Sequence, residues 1–444
     1  MIKNGVVAVL QQVLDWSRER NYAGYSKHDA LNSRLVHACT CGISFLRLVA
    51  TQIVMRFPFN IRPLVGVPKS RNPKGIGLFA YAWLDKACLP GADRAVCVQA
   101  ADDLLTWLIE HASPQAPASG RLRRHWGLAE DGDSACGDNR SLNGLGWGYH
   151  YPWQDQGFFQ PRHYPNRVVT SWIGFSLLRA FEETADNKYL LACEEVATFL
   201  TENPRRLQET DDQVCLSYVP LEDIDWAVMD VSALVAAFLA RFLWNVDNAL
   251  QKGGVEHSRY ALSCDGALQE RKALAEMARR LMLFVVDKQT EYGGWFYTYP
   301  AKDSHIKHDN YHTAIILDCL ADYMFYCDDR NWEPVYRKGL DYYREALFLA
   351  SGAPCWMNDR AFPHDIHGAA SGILCFTRAA VYYAESQGAD AQWAKIILRW
   401  TLKHLYNEKG FFYYQRQRFY TKRFCLMRWG NAWMSRALAQ YARL

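Results

Sequence analysis

The sequence predicts an all-α protein folded as an α/α toroid, a barrel of about five or six helical hairpins, with an N-terminal helical extension and short β-hairpin loops. Three observations carry this. Apolar residues recur at three- and four-residue spacing along most of the chain, the period of helices with one buried face. The pattern W-x-Y-x-Y-P occurs at Trp147–Pro152 and again at Trp295–Pro300, each time after a glycine and ahead of a helix. Looser copies at Tyr218, Trp356 and Phe412 make the steps between equivalent points 71, 77, 61 and 56 residues. Each step holds one hairpin and a loop, and exceeds the roughly 34–47 residues of open helical solenoids. The extra length falls before every second helix, as it must when inner and outer helices alternate round a ring and long loops crowd one mouth.

The helical stretches follow in order. Val6–Arg20 and Leu35–Arg56 belong to the extension, residues 1–72. The toroid, residues 73–444, starts with Ile76–Cys88 and Arg94–Ala112, then Val168–Thr184 and Lys188–Glu202. Val231–Trp244, Gly266–Gln289, His312–Tyr326 and Trp332–Leu347 continue the series, which Gly368–Ser386, Ala391–Tyr406 and Arg428–Arg443 complete. Strand signals are confined to short aromatic pieces, Trp295–Tyr299 and Phe411–Tyr414. The segments Tyr25–Ser33, Pro58–Pro63 and Lys69–Gly75 are rich in turn formers and read as connections. Pro114–Gly146 is the longest stretch of low hydrophobicity and reads as a lid or linker.

Of the 444 residues, 50% are hydrophobic and 22% charged, which excludes a disordered chain. A net charge of +3 gives no electrostatic reason to expect nucleic acid as a partner. Sixteen Trp and 25 Tyr suit a cleft that stacks flat apolar faces and offers hydroxyls. The 13 cysteines are odd in number and mostly lie in helical runs, so free thiols and a cytoplasmic location are expected. No segment is long and apolar enough to span a membrane. The nearest, Gly42–Met55, is interrupted by Arg47.

The mouth loops hold the candidate site residues. Trp147, Tyr149, His150, Tyr151, Trp153 and Asp155 lie in the first, followed by Arg162 and Asn166. Trp295, Tyr297, Tyr299, His308, Asp309 and His312 lie in the third, with His305 between them. His364, Asp365 and His367 come from the fourth loop, and Tyr413 and Arg416 from the last. A toroid brings such loops to one bowl, and seven of the 13 histidines fall in them. His308 and His312 stand one helical turn apart, as in zinc sites, but no H-E-x-x-H accompanies them, and Asp309 suits a helix cap. No metal is therefore expected. No cofactor is expected either, since phosphate-loop, dinucleotide and nucleophile-elbow motifs are absent. Tyr, His and Arg among Trp platforms suit proton transfer on a uronic-acid glycan: a cation neutralises the carboxylate, and His or Tyr moves the adjacent proton. In that scheme Tyr149 or Tyr297 acts with His150, His308 or His312, and Arg162 or Arg416 holds the carboxylate. Hydrolysis needs two opposed carboxylates, for which Asp155, Asp225, Asp309, Asp359 and Asp365 are available.

The stretches Tyr25–Ser33, Pro58–Pro63, Asn72–Gly77, Gly146–Trp153 and Gly293–Thr313 together resemble the α/α-toroid proteins of bacterial capsule and exopolysaccharide gene clusters. Gly293-Gly-Trp295 and Tyr297-Thr-Tyr299-Pro300 are more loosely similar to the helical domain of glucuronyl C5-epimerases, whose β-rich domain has no counterpart here. These resemblances imply a poly- or oligosaccharide substrate, action as an epimerase or lyase in surface-polysaccharide production, and polysaccharide-assembly proteins as partners. Three other readings stand beside this: a non-catalytic glycan-binding partner of glycosyltransferases, an isoprenoid or lipid-carrier enzyme, and a glycoside hydrolase.

Overall fold

The computed structural model describes residues 2–128, 142–203, 205–220, 227–255, 257–383 and 387–444. Asp225 and residues 129–141 of the expected lid lie outside the described residues. Six helices form an inner ring: α4 (Pro73–Ala87), α7 (Arg167–Thr184), α9 (Met229–Gln251), α11 (Asn310–Cys327), α13 (Ile366–Tyr382) and α15 (Trp433–Ala442). Each packs on the next, and α15 packs on α4, which closes the ring. Outside them lie α5 (Arg94–Glu110), α8 (Asn187–Glu202), α10 (Asp265–Asp287), α12 (Glu333–Ala346) and α14 (Gln387–Leu405). The sixth outer position, against α15, is taken by α1 (Ile2–Arg18). The toroid thus has six hairpins.

Burial separates the two layers. Every residue of α4 is buried, and α9 and α13 are buried on nearly all sides. By contrast α10 and α12 bury a single stripe, as outer helices should. Contrary to the expectation from sequence, one described helix, α9, is long and apolar enough to cross a membrane, and 89% of its apolar stretch is inside the protein, where it serves as a core helix. Close approach of inner helices needs small residues: a Cβ at Gly174 of α7 would lie 2.5 Å from the Phe238 ring of α9. The C-terminal halves of the inner helices are tied by buried ion pairs, Arg179–Asp85 at 2.9 Å, Arg241–Glu182 at 2.6 Å and Arg378–Asp322 at 3.2 Å.

At the other end each inner helix follows a mouth loop, as the repeat predicts. Asn72, Asn166, Asp309 and Asp365 cap α4, α7, α11 and α13, each side chain accepting a first-turn N–H. Two-residue strands tie neighbouring loops: Ala227–Val228 pairs with Thr298–Tyr299, and His364–Asp365 with Gln415–Arg416. The periodic run over residues 35–56 is not one helix. It breaks at Cys41 and Gly42, both at positive φ, into α2 (Arg34–Cys39) and α3 (Ser44–Arg56). One more short helix, α6 (Gly120–His125), is too brief to show a period. All twelve described cysteines are free thiols.

Candidate active site

The first turns of the inner helices converge on an axial cavity of ≈ 120 Å³. That is room for on the order of ten waters, about the heavy-atom count of one sugar ring. Lys74 reaches it from α4, Asp230 from α9, Tyr311 and His312 from α11, and His367 from α13. Arg428 and Trp429 come from a wide π-helical turn, Met427–Ala432, that leads into α15. The loop before α7 adds Tyr149, Tyr151, Trp153 and Asp155, and the later loops add Tyr218, Tyr297 and His305. His28 enters from the N-terminal segment. Helix N-termini and the Arg428 guanidinium facing one space favour an anionic ligand; burial and then Arg428 push the Lys74 pKa well below its ordinary value, against the pull of Asp230.

Two histidines in this cavity are pushed in opposite directions. His312 Nδ1 lies 2.7 Å from Asp309 Oδ2. Burial opposes its charge, but the carboxylates of Asp309 and Asp230 outweigh burial and hold its pKa above the ordinary value. His367 is held neutral by burial, reinforced by the charges of Lys74 and Arg428. Neither of its ring nitrogens has a hydrogen-bond partner among the described residues. Its ring is fixed by packing alone, stacked on Tyr311 at 4.9 Å and edge-on to Trp429 at 4.4 Å.

The carboxylates are perturbed as well. Asp230 is buried with Oδ1 lacking a partner among the described residues; burial raises its pKa against the pull of His312 and Lys74. Burial also raises Asp155, although its Oδ1 accepts the Gln156 N–H at 2.9 Å. The phenols of Tyr149 and Tyr218 share a hydrogen bond of 3.1 Å, and burial pushes both pKa values up. Tyr297 is raised too, by burial and then by Asp155 and Asp230. Raised phenol pKa values run against the use of these tyrosines as bases. Although Arg428 lies over the Tyr149 ring at 5.5 Å, desolvation dominates and keeps the phenol protonated.

Of the residues singled out from sequence, eight line the cavity: Tyr149, Tyr151, Trp153 and Asp155, with Tyr297, His305, His312 and His367. Asp309 and Asp365 stand directly behind it. Asp365 caps α13 and accepts the Trp429 indole N–H at 2.8 Å and the Gln415 amide at 2.6 Å. The others are placed elsewhere. Trp147 and Trp295 are buried braces whose indoles donate to the carbonyls of Leu108 and Val285. Asn166 is a buried helix cap. His308 has both ring nitrogens occupied, by the Trp295 carbonyl and the Tyr292 hydroxyl, which separates it from His312. His364 is bound to the Pro354 carbonyl, and Tyr413 accepts from Asn407. Tyr299 faces outward, packed on Phe284.

Neither expected carboxylate-binding arginine reaches the axis. Arg416 pairs with His404 at 2.7 Å, and Arg162 donates to Asn32 at 2.8 Å. Arg162 and His150 instead line a separate side cavity of ≈ 350 Å³, where burial lowers the His150 pKa to about 3. Their place at the axis is taken by Arg428 and Lys74.

Lys27, His28, Lys74, Asp230 and Arg428 did not stand out in the sequence. For Lys74 and Asp230 a usable signal exists: a charged residue in the first turn of a helix otherwise apolar on all sides. Lys27 and His28 lie in a segment that reads as a connection. The structure buries it, because Asp29 and Arg62 form an ion pair at 2.6 Å with both side chains inaccessible. The Arg62 guanidinium also donates to the carbonyls of Ser26 and Lys27. This delivers the Lys27 ammonium over the rings of Trp429 (4.0 Å) and Trp356 (4.6 Å), and burial lowers its pKa to about 8.

No protein-family model matches the chain, and no curated protein matches its sequence. Solved structures do match its shape. An unsaturated glucuronyl hydrolase specific for heparin superposes with a TM-score of 0.57 at 11% identity, over 99% of this chain and 97% of that one. Cellobiose 2-epimerase from Bacillus thermoamylovorans gives 0.55 at 10% identity, covering 85% and 90%. A GH76 α-mannanase from Bacteroides thetaiotaomicron gives 0.54 at 11%, covering 84% and 87%. The fold is the α/α toroid. At such identities the likeness speaks for the architecture alone.

Proposed function

We propose that this protein is a carbohydrate-active enzyme that moves a proton on one ring of an acidic sugar, as a uronate epimerase or lyase. The observation that carries this is two imidazoles lining one cavity, His367 with its pKa driven down and His312 with its pKa raised, beside the Arg428 guanidinium and the Lys74 amine. Arg428 and Lys74 would bind the substrate carboxylate, and Trp153 and Trp429 would pack on the ring. His367 takes the proton from the carbon next to the carboxylate. The electron pair moves into the carboxylate as an enediolate, which the cations and helix N-termini stabilise. His312 then returns its proton to the other face of the carbon, giving epimerisation, or to the departing glycosidic oxygen, giving elimination. Tyr149 and Tyr297, kept protonated, serve as donors to sugar hydroxyls or to the enediolate. The carbohydrate-acting enzymes that share the fold support this reading. The resemblance to capsule-cluster toroids supports a surface polysaccharide as the glycan.

Asp155 and Asp230 favour one second reading. Two carboxyl groups with raised pKa values in one cavity, Asp230 buried and Asp155 half-buried, would suit glycoside hydrolysis. Incubation with uronate oligosaccharides in D₂O separates the two. Deuterium at the carbon beside the carboxylate (epimerisation) or an unsaturated sugar at the new non-reducing end (elimination), abolished by His367→Asn, supports proton transfer. New reducing ends with neither deuterium nor unsaturation, abolished by Asp230→Asn, would replace it with hydrolysis.

A further inference from the structure

Beside the mouth, the surface around α3 buries far less of itself than its composition would lead one to expect. Eight of the 13 residues of α3 are apolar, yet only Thr51 and Val54 are buried. Phe45 is 69% exposed and Ile53 54%, and the chain that follows exposes Phe59 at 59%. The hairpin built on Gln415–Arg416 and Thr421–Lys422 is pinned to the end of this helix, because Lys422 Nζ donates to the carbonyls of Met55 and Arg56 at 3.0 Å each. Its tip carries Phe419, 88% exposed. Exposed large apolar side chains gathered on adjoining segments mark a contact with something else.

Charge indicates what that is. From Ala30 to Leu84 the sequence has seven Lys and Arg and no Asp or Glu; from Lys409 to Leu444 it has eight and none. Elsewhere the chain is acidic enough to bring the total down to +3. The two acid-free segments meet where Lys422 reaches the end of α3, and on them Arg34, Arg56, Arg418 and Arg423 are exposed and form no ion pair among the described residues. We infer that this face docks the protein on the surface of an anionic lipid bilayer, with Phe45, Ile53, Phe59 and Phe419 entering the headgroup layer and these arginines meeting lipid phosphates. Apolar side chains rimmed by cations are what such binding needs. A span is excluded by length, since α3 at 13 residues is only about 20 Å long. A second copy fits poorly, because a self-paired interface would set arginines against arginines.

The docked orientation would put the site at the membrane. Arg47 of α3 lies 4.1 Å from the Phe159 ring, whose strand pairs with Trp153 of the cavity. The inference does not depend on the chemistry proposed for that cavity.

Co-sedimentation of the full chain with phosphatidylcholine vesicles, with and without phosphatidylglycerol, tests it. Binding is expected to the anionic vesicles alone and to weaken as salt is raised. Arg418→Glu/Arg423→Glu and Phe45→Ser/Phe419→Ser should each weaken it at least about tenfold. The thermal midpoint should stay unchanged, since all four side chains are exposed. Absence of binding at low salt, equal binding by the variants, or a solution dimer that Phe45→Ser/Phe419→Ser dissolves without vesicle binding would each overturn the inference.

Discussion

Replacing Asp309 by Asn isolates what holds His312 charged. Asp309 has two jobs: its Oδ1 caps α11 by accepting the His312 N–H at 3.1 Å, and its Oδ2 faces His312 Nδ1 at 2.7 Å. Asn caps a helix about as well as Asp, so the substitution keeps the fold and removes only the charge. The lost attraction is on the order of 4 kcal/mol, for charges ~4 Å apart at an effective dielectric of ~20. Burial then stands opposed mainly by Asp230, and the His312 pKa should fall from above the ordinary histidine value to below it. Because the wild-type pKa is raised, the protonated fraction is complete at low pH and is lost as pH rises through it. In the variant that loss should come at lower pH. NMR titration of the histidine Cε1–H signals, assigned by a His312→Asn control, reads this without a substrate. If uronate chemistry is detected, the alkaline limb of its pH profile should move the same way. An unchanged His312 midpoint in Asp309→Asn would refute the electrostatic argument. A large drop in thermal stability would show that the cap, not the charge, is the main role.

His367→Asn should lower solvent-deuterium exchange at least about a hundredfold with oligosaccharide binding, read by calorimetry, little changed. Asp29→Asn leaves Arg62 buried without its counter-charge and should cost about 3–5 kcal/mol in urea unfolding. It should also weaken oligosaccharide binding, because the same pair holds Lys27 and His28 at the cavity. Gly148→Ala would place a Cβ 1.9 Å from the Tyr164 carbonyl oxygen, against backbone that cannot yield easily. A loss of about 1–3 kcal/mol is expected, with a shifted near-UV signal from the displaced aromatic loop.

Local pattern made the layering legible. Whether a helix is apolar on one side or all round depends on its own residues, so α4 and α9 differ from α12 before any contact is known. The recurring aromatic loops marked where each inner helix begins, since a glycine and a rigid Trp–Tyr segment are what a tight approach to the ring requires. What such patterns do not carry is the direction of each side chain at the axis. In Trp147–Pro152, Tyr149 and Tyr151 stack in parallel at 5.4 Å beside the cavity while His150 turns to the side pocket. In the sister copy Tyr297 faces the cavity and Tyr299 the solvent. Paired strands and helix caps settle these orientations through partners distant in sequence. Protonation was equally out of reach, because burial and neighbouring charge, not residue type, raise the pKa of His312 and of the cavity tyrosines and lower that of His367. The helices and the mouth loops were therefore written in the sequence by short-range periodicity. The members of the cavity, including a histidine delivered by an ion pair spanning 33 positions, were decided only when the ring closed.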